Sequence, residues 1–117
     1  MSEKQGYRAV AKYLRVSPFK VRKVADHIRR RPYTEAIALL ENIPNKGGQL
    51  IKKVVQSAAA NALSQNQNLD EDMLYVKELY VNEGPRLKRL WVRGRGRADL
   101  LQKRMSHITA VVDELEA

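Results

Sequence analysis

The sequence predicts an α+β fold in which three helices pack on a small antiparallel sheet and a long β-hairpin protrudes. Three observations carry that expectation. Helical patterns follow one another between residues 17 and 65, punctuated by proline and glycine. Strand-like stretches stand before and after them, at 7–16, 74–81 and 107–115. The last two are separated by about 22 residues, Gly84 to Met105, with no helix to carry a parallel crossover, so they should pair antiparallel.

"YRAVAKYLRV" (7–16) is rich in β-branched and aromatic residues and reads as the first strand. Ser17 then caps a helix and Pro18 takes its first position. Val21, Val24, Ala25 and Ile28 recur at i, i+3, i+4 and i+7 and form one apolar stripe. Lys20, Arg22, Lys23, Arg29, Arg30 and Arg31 lie mostly off that stripe, and Pro32 ends the helix. Thr34 caps a short second helix, with Ala36, Ile37, Leu40 and Ile43 inward and Pro44 stopping it.

"NKGG" (45–48) reads as a turn. A third helix is expected from about Gln49 to Gln65, with Ile51, Val54, Val55, Ala58 and Ala62 on one face. Its "SAAANA" stretch (57–62) is made of small residues, so another element can pack close to it. "NQNLDED" (66–72) is a polar loop, and "LYVKELYV" (74–81) and "HITAVVDEL" (107–115) are the paired strands. No internal repeat or linker interrupts the chain, so residues 1–117 are expected to form a single domain.

Charge says more than length. The net charge is +9, and it is unevenly placed. Residues 1–31 carry +8, residues 32–85 carry −3, residues 86–104 carry +7 and residues 105–117 carry −3. Charge serving only solubility would mix its signs; two positive blocks around an acidic middle mark a surface for a polyanion. With no cysteine, disulfides and thiolate sites are excluded. No apolar run approaches a membrane span of about 20 residues, and no apolar signal segment follows the start, so a cytoplasmic protein is expected.

The sequence offers no catalytic constellation. Ser106 and His107 are adjacent in a strand and should point to opposite faces, so they cannot make a nucleophile–base pair. His27 lies on the polar flank of the first helix and reads as a surface contact. Asp70, Glu71 and Asp72 lack the glycine and distant glutamate of a calcium loop. Gly94 and Gly96 imitate a dinucleotide fingerprint, but Asp99 stands where the third glycine belongs. We therefore expect no enzyme, no metal, no cofactor and no small-molecule substrate.

The segment "EGPRLKRLWVRGRGRADLLQKRMSHITAVV" (83–112) holds the main clue. Loops beyond about 12–15 residues are normally functional or disordered. With both limbs extended, eleven residues a side would reach roughly 35 Å. Such a ribbon cannot bury its own charge and asks for a large anionic partner. Arginine forks match phosphate oxygens in pairs, and Trp91 and Leu90 can stack or wedge among nucleotides. Gly94 and Gly96 permit close backbone approach, and "RGRGR" (93–97) presents three guanidiniums in one short run. No helix offers an apolar face for a membrane beside this charge, and folded RNA suits a penetrating ribbon better than duplex DNA. The expected RNA contacts are Arg15, Lys20, Arg22 and Lys23 near the first helix. On the ribbon they are Arg86, Lys88, Arg89, Trp91, Arg93, Gly94, Arg95, Gly96, Arg97, Lys103 and Arg104.

"AKYLRVSPFKVRKVAD" (11–26), "SAAANA" (57–62), "VKELYVNEGPRLKR" (76–89) and "RGRGRADLLQKRMSHI" (93–108) together resemble, in order and spacing, the bacterial-type ribosomal protein L twenty-two family of the large subunit. The resemblance covers nearly the whole chain. It implies three helices on a three-stranded antiparallel sheet, with a β-hairpin that threads into 23S ribosomal RNA. It also implies a role in subunit assembly, neighbouring large-subunit proteins as partners, and a hairpin tip lining the nascent-peptide exit tunnel, where it meets the nascent peptide. The family usually has a base where this chain has Phe19, and proline and alanine at Val92 and Gly94; Ala110 replaces a larger aliphatic. Two readings from other classes stand beside it: a DNA-binding module using the first helix, although helix-turn-helix spacing is missing, and a polyanion-binding protein outside the ribosome.

Overall fold

The computed structural model describes the backbone of residues 6–43, 46–85, 87–92 and 98–114, with side chains for all of these except 87–92 and 98–103. The described chain runs β1 (Tyr7–Leu14), α1 (Pro18–Ile28), α2 (Tyr33–Glu41), α3 (Lys46–Gln65), a 3-10 turn (Glu71–Met73), β2 (Leu74–Glu83), β3 (Leu87–Val92), β4 (Ala98–Lys103) and β5 (Ser106–Glu114). One antiparallel sheet has the order β1-β5-β2, and β3 pairs with β4 in a separate two-stranded ribbon. The α+β class, the three helices and the hairpin connection are those the sequence predicts.

Alternation along the strands sorts the sheet into two faces. The rows Tyr7–Val112–Val76, Ala9–Ala110–Leu79 and Ala11–Ile108–Val81 run across the three strands and join the core. α1 covers β2, while α3 covers β1 and β5, and α2 packs on α3 and β2. The middle row is short because Ala9 and Ala110 have no side chain beyond Cβ. α3 answers with its own small residues, Ala58, Ala59 and Ala62, all buried. Ala110 thus belongs to the same close approach that the "SAAANA" stretch announces. Tyr33, buried at the start of α2, has its hydroxyl pKa raised, first by desolvation and then by the charge of Glu71.

Several helix ends differ from expectation. Ser17 occupies the N-cap in extended conformation and Pro18 follows it, but the Ser17 side chain makes no capping hydrogen bond. α1 stops at Ile28, before Pro32, because the chain leaves the helix to join β2. Arg30 turns through φ +73°, its N–H donates to the Val76 carbonyl (2.8 Å), and the Val76 N–H donates to the Arg31 carbonyl (2.9 Å). Pro32 then opens α2 in place of Thr34: its φ of −55° suits a helix start and its carbonyl accepts the Ala36 N–H at 2.9 Å. α3 begins at Lys46, so Gly47 and Gly48 of the expected turn lie in its first turn, with Gly48 buried.

The same departure of α1 closes one edge of the sheet. The Leu79 carbonyl accepts from Arg29 Nε (2.9 Å) and Nη2 (2.7 Å), and the Val81 carbonyl accepts from Arg22 Nε (2.9 Å). Together with the pairing of Arg30 and Arg31 to Val76, these bonds occupy the outer side of β2. At the opposite end of the sheet, β1 bulges between Ala11 and Leu14. Tyr13 sits there at φ +59°, its N–H donates to His107 Nδ1 (3.0 Å), and the two rings meet edge to face at 4.9 Å.

β2 and β5 remain paired to Glu83↔Ser106, and the Gly84 N–H donates to the Met105 carbonyl at 2.8 Å. The ribbon then resumes at Leu87↔Lys103 and runs to Val92↔Ala98. β3 and β4 pack chiefly on each other. The whole molecule extends 67 × 36 × 20 Å with a radius of gyration of 17.6 Å. A compact chain of this length would be near 13 Å.

The close approach of α3 sets a packing test. Ala58→Leu should destabilise the protein by about 1–3 kcal/mol through overpacking, seen as a lower urea midpoint at unchanged m.

Candidate nucleic-acid interface

Phe19 stands one residue inside α1 and is 53% exposed. The Arg22 guanidinium carbon lies 5.8 Å from its ring centre, and that of Arg104 lies 5.5 Å away. Arg22 comes from the same helix; Arg104 comes from the stretch between β4 and β5. The two positive blocks of the sequence therefore meet at one aromatic ring. Guanidiniums over an aromatic face gain cation–π attraction, which offsets part of their mutual repulsion. Where the family usually has a base, this chain has a ring with two guanidiniums beside it.

On the other flank of α1 lies an open cleft of about 530 Å³. Arg15, Lys20 and Lys23 line it from the β1–α1 corner and from α1, and Lys46 and Gly47 line it from the start of α3. Val16, Val21 and Val24 supply apolar walls. Among the described residues, four cations border this space and no carboxylate does. Ser17 and Lys20 border it at the start of α1, and Lys46 and Gly47 at the start of α3.

Of the expected contacts, the structure brings Arg15, Lys20 and Lys23 together, and it brings Arg22 to Arg104. Arg22 is a special case, because its Nε is held by the Val81 carbonyl. Lys88, Arg89 and Trp91 occupy β3 opposite Gln102, Leu101 and Asp99, and Lys103 occupies β4 opposite Leu87. Arg86, Arg93, Gly94, Arg95, Gly96 and Arg97 lie outside the described residues. Lys46 was not among the expected contacts. It falls in the acidic middle of the sequence, and its neighbours "NKGG" read as a turn, although a lysine at a helix start beside two glycines was the available signal.

Ser106 and His107 have structural duties. Ser106 is fully buried and its Oγ donates to the Val16 carbonyl (2.7 Å), while His107 Nδ1 accepts the Tyr13 N–H. The two side chains engage different parts of the chain. Asp70, Glu71 and Asp72 are exposed around the 3-10 turn.

These features define a small basic α+β protein whose cations gather about the start of α1 and the root of a two-stranded ribbon. Residues 9–113 match the profile of the family described as ribosomal protein L22p/L17e. A protein of Treponema denticola named large ribosomal subunit protein uL22 is 60% identical over 97% of this chain and 97% of its own length. The protein of the same name from Treponema pallidum is 54% identical over 97% of this chain and 92% of its own. That of Thermosipho africanus is 54% identical over 94% of this chain and 74% of its own. The chain belongs to the ribosomal protein L22 family, whose members are structural components and not enzymes.

The interface contains cations of two kinds, and stability separates them. Arg22→Met should cost about 0.5–1.5 kcal/mol, because the Val81 carbonyl loses its side-chain donor, while Lys20→Met and Lys23→Met should stay within about 0.5 kcal/mol of the parent in urea melts.

Proposed function

We propose that this protein is a structural constituent of the large ribosomal subunit that binds 23S ribosomal RNA and supports subunit assembly, in the cytoplasm. The observation that carries the reading is the meeting of the two positive blocks: the flank of α1 and the root of the ribbon converge on Phe19. Arg22 of α1 and Arg104 at the root of the ribbon stand together there, and Arg15, Lys20 and Lys23 stand on the other flank of the same helix. Residues 1–117 act as one ribosomal-protein domain, with the basic hairpin at about 84–105 as its extension. Arg86, Lys88, Arg89, Trp91, Arg93, Gly94, Arg95, Gly96, Arg97 and Lys103 are assigned to RNA on that extension.

Family membership supports the finer part of the proposal. The hairpin tip lines the nascent-peptide exit tunnel and meets the nascent peptide, and the body contacts neighbouring large-subunit proteins. The pairing of β3 with β4 up to Val92↔Ala98, next in the chain to β2 and β5, favours this role, because it holds the two limbs together as paired backbone. A DNA-groove role for α1 is disfavoured. That helix covers β2 and ties Arg22 and Arg29 to the strand's carbonyls.

Sedimentation of a tagged copy through a sucrose gradient tests the proposal directly; it should travel with the large subunit, and recovery only as free protein would overturn it. In filter binding to 23S RNA, neutralising ~6–10 phosphates should give a log–log salt slope of roughly −4 to −9. Reversing Lys20 and Lys23 to Glu should weaken that binding with the helical circular dichroism unchanged.

A further inference from the structure

The cleft between the first turns of α1 and α3 does more than add charge to a surface. We propose that it is a subsite for a single unpaired nucleotide of the bound RNA, its phosphate held at the cationic rim and its base and sugar on the valine walls. This rests on the RNA-binding reading above and names the part of the RNA that this site takes.

The shape argues for a group that enters. At about 530 Å³ the cleft lies within the ~300–1,000 Å³ usual for pockets that enclose small ligands. A phosphate ridge of duplex RNA would need only a flat basic surface. The chemistry argues for a group with two characters. Arg15, Lys20, Lys23 and Lys46 border the space, arriving from two separate parts of the chain, with no carboxylate among the described lining residues. Val16, Val21 and Val24 line it between those cations. A bare inorganic anion gains nothing from apolar walls and loses hydration against them. A nucleotide has a charged end for the rim and a base whose faces are apolar.

The pairing state follows from the same geometry. In an A-form helix the bases are stacked and paired, and only loops, bulges and ends offer a base that can be turned outward. The occupant is therefore a splayed nucleotide, held by its phosphate and by the apolar faces of its base. Lys46 is the diagnostic residue. It lies outside the two positive blocks of the sequence and reaches the RNA-facing side only because α3 begins there.

The test uses the full-length protein and amide NMR with four probes: an adenosine hexaribonucleotide, its abasic counterpart, a duplex RNA of equal phosphate count, and inorganic phosphate. The hexanucleotide should shift the amides of Val16, Val24 and Gly47 more than the other three do. Equal shifts from the abasic strand or the duplex would overturn the proposal by showing a phosphate-only surface. In parallel, Lys46→Gln should weaken binding to 23S RNA and reduce the salt slope by about 1. Lys46 is exposed, so the fold should persist, which the melting curve verifies. Parent-like slope and affinity in Lys46→Gln would sink the subsite while leaving the RNA reading intact. Failure of the parent itself to bind 23S RNA would remove the wider reading and the subsite with it.

Discussion

The pairing of β2 with β5 is the constraint on which the rest depends. Nine of the ten residues of β2 find a partner on β5, from Leu74↔Glu114 to Glu83↔Ser106, and only Lys77, at a bulge between Val76 and Glu78, is passed over. The body of the protein hangs on one length of this ladder, since β1 pairs with β5 and α1 lies on β2. The ribbon is its continuation at the other end, through Gly84 and Met105 into β3 and β4. At that passage a Cβ on Gly84 would lie 3.1 Å from the His107 ring and 3.2 Å from Met105 Cβ. The glycine is there for the close approach of side chains. His107 in turn holds the Tyr13 bulge, so the root of the ribbon and the end of β1 are packed as one unit.

Charge in this protein has two uses that composition cannot distinguish. Arg22 and Arg29 turn their guanidiniums onto backbone carbonyls of β2, where a donor is needed whether or not RNA is present. Lys20, Lys23 and Lys46 border open space and make no bond that the fold requires. A helix flank that reads as one block of positive charge is thus divided between holding the sheet and meeting a partner. Arginine is suited to the first use because its planar fork satisfies a carbonyl with two donors at once, as Arg29 does at Leu79.

What the sequence made legible is what local periodicity encodes. The apolar stripe of α1, the small-residue face of α3 and the antiparallel pairing of β2 with β5 could all be read without coordinates, and Val21, Val24, Ala25 and Ile28 are buried as their spacing requires. The rest depends on partners far away in the chain. Tyr13 adopts positive φ because a histidine ninety-four residues later receives its N–H. α1 ends at Ile28 because Val76 offers a strand edge to Arg30 and Arg31. Lys46 joins the basic cleft through the placement of a helix start beside α1, and its own stretch of sequence, a lysine beside two glycines, does not say which element it will face. The recurrence of cations off the apolar stripe was visible; their division into bound and available groups was not.

The sealed outer side of β2 bears on the life of the protein before it finds its partner. A strand with open N–H and C=O groups is a template on which a second copy can add its own strand. Here the carbonyls of Val76, Leu79 and Val81 are already answered by α1 and the chain that follows it. The groups that answer at Leu79 and Val81 are also positively charged, so another copy approaching that side meets like charge as well as a shortage of free hydrogen-bonding sites. On this edge of the sheet, a second copy would have to displace the arginines of the same helix that carries the protein's cations before its strand could reach those carbonyls.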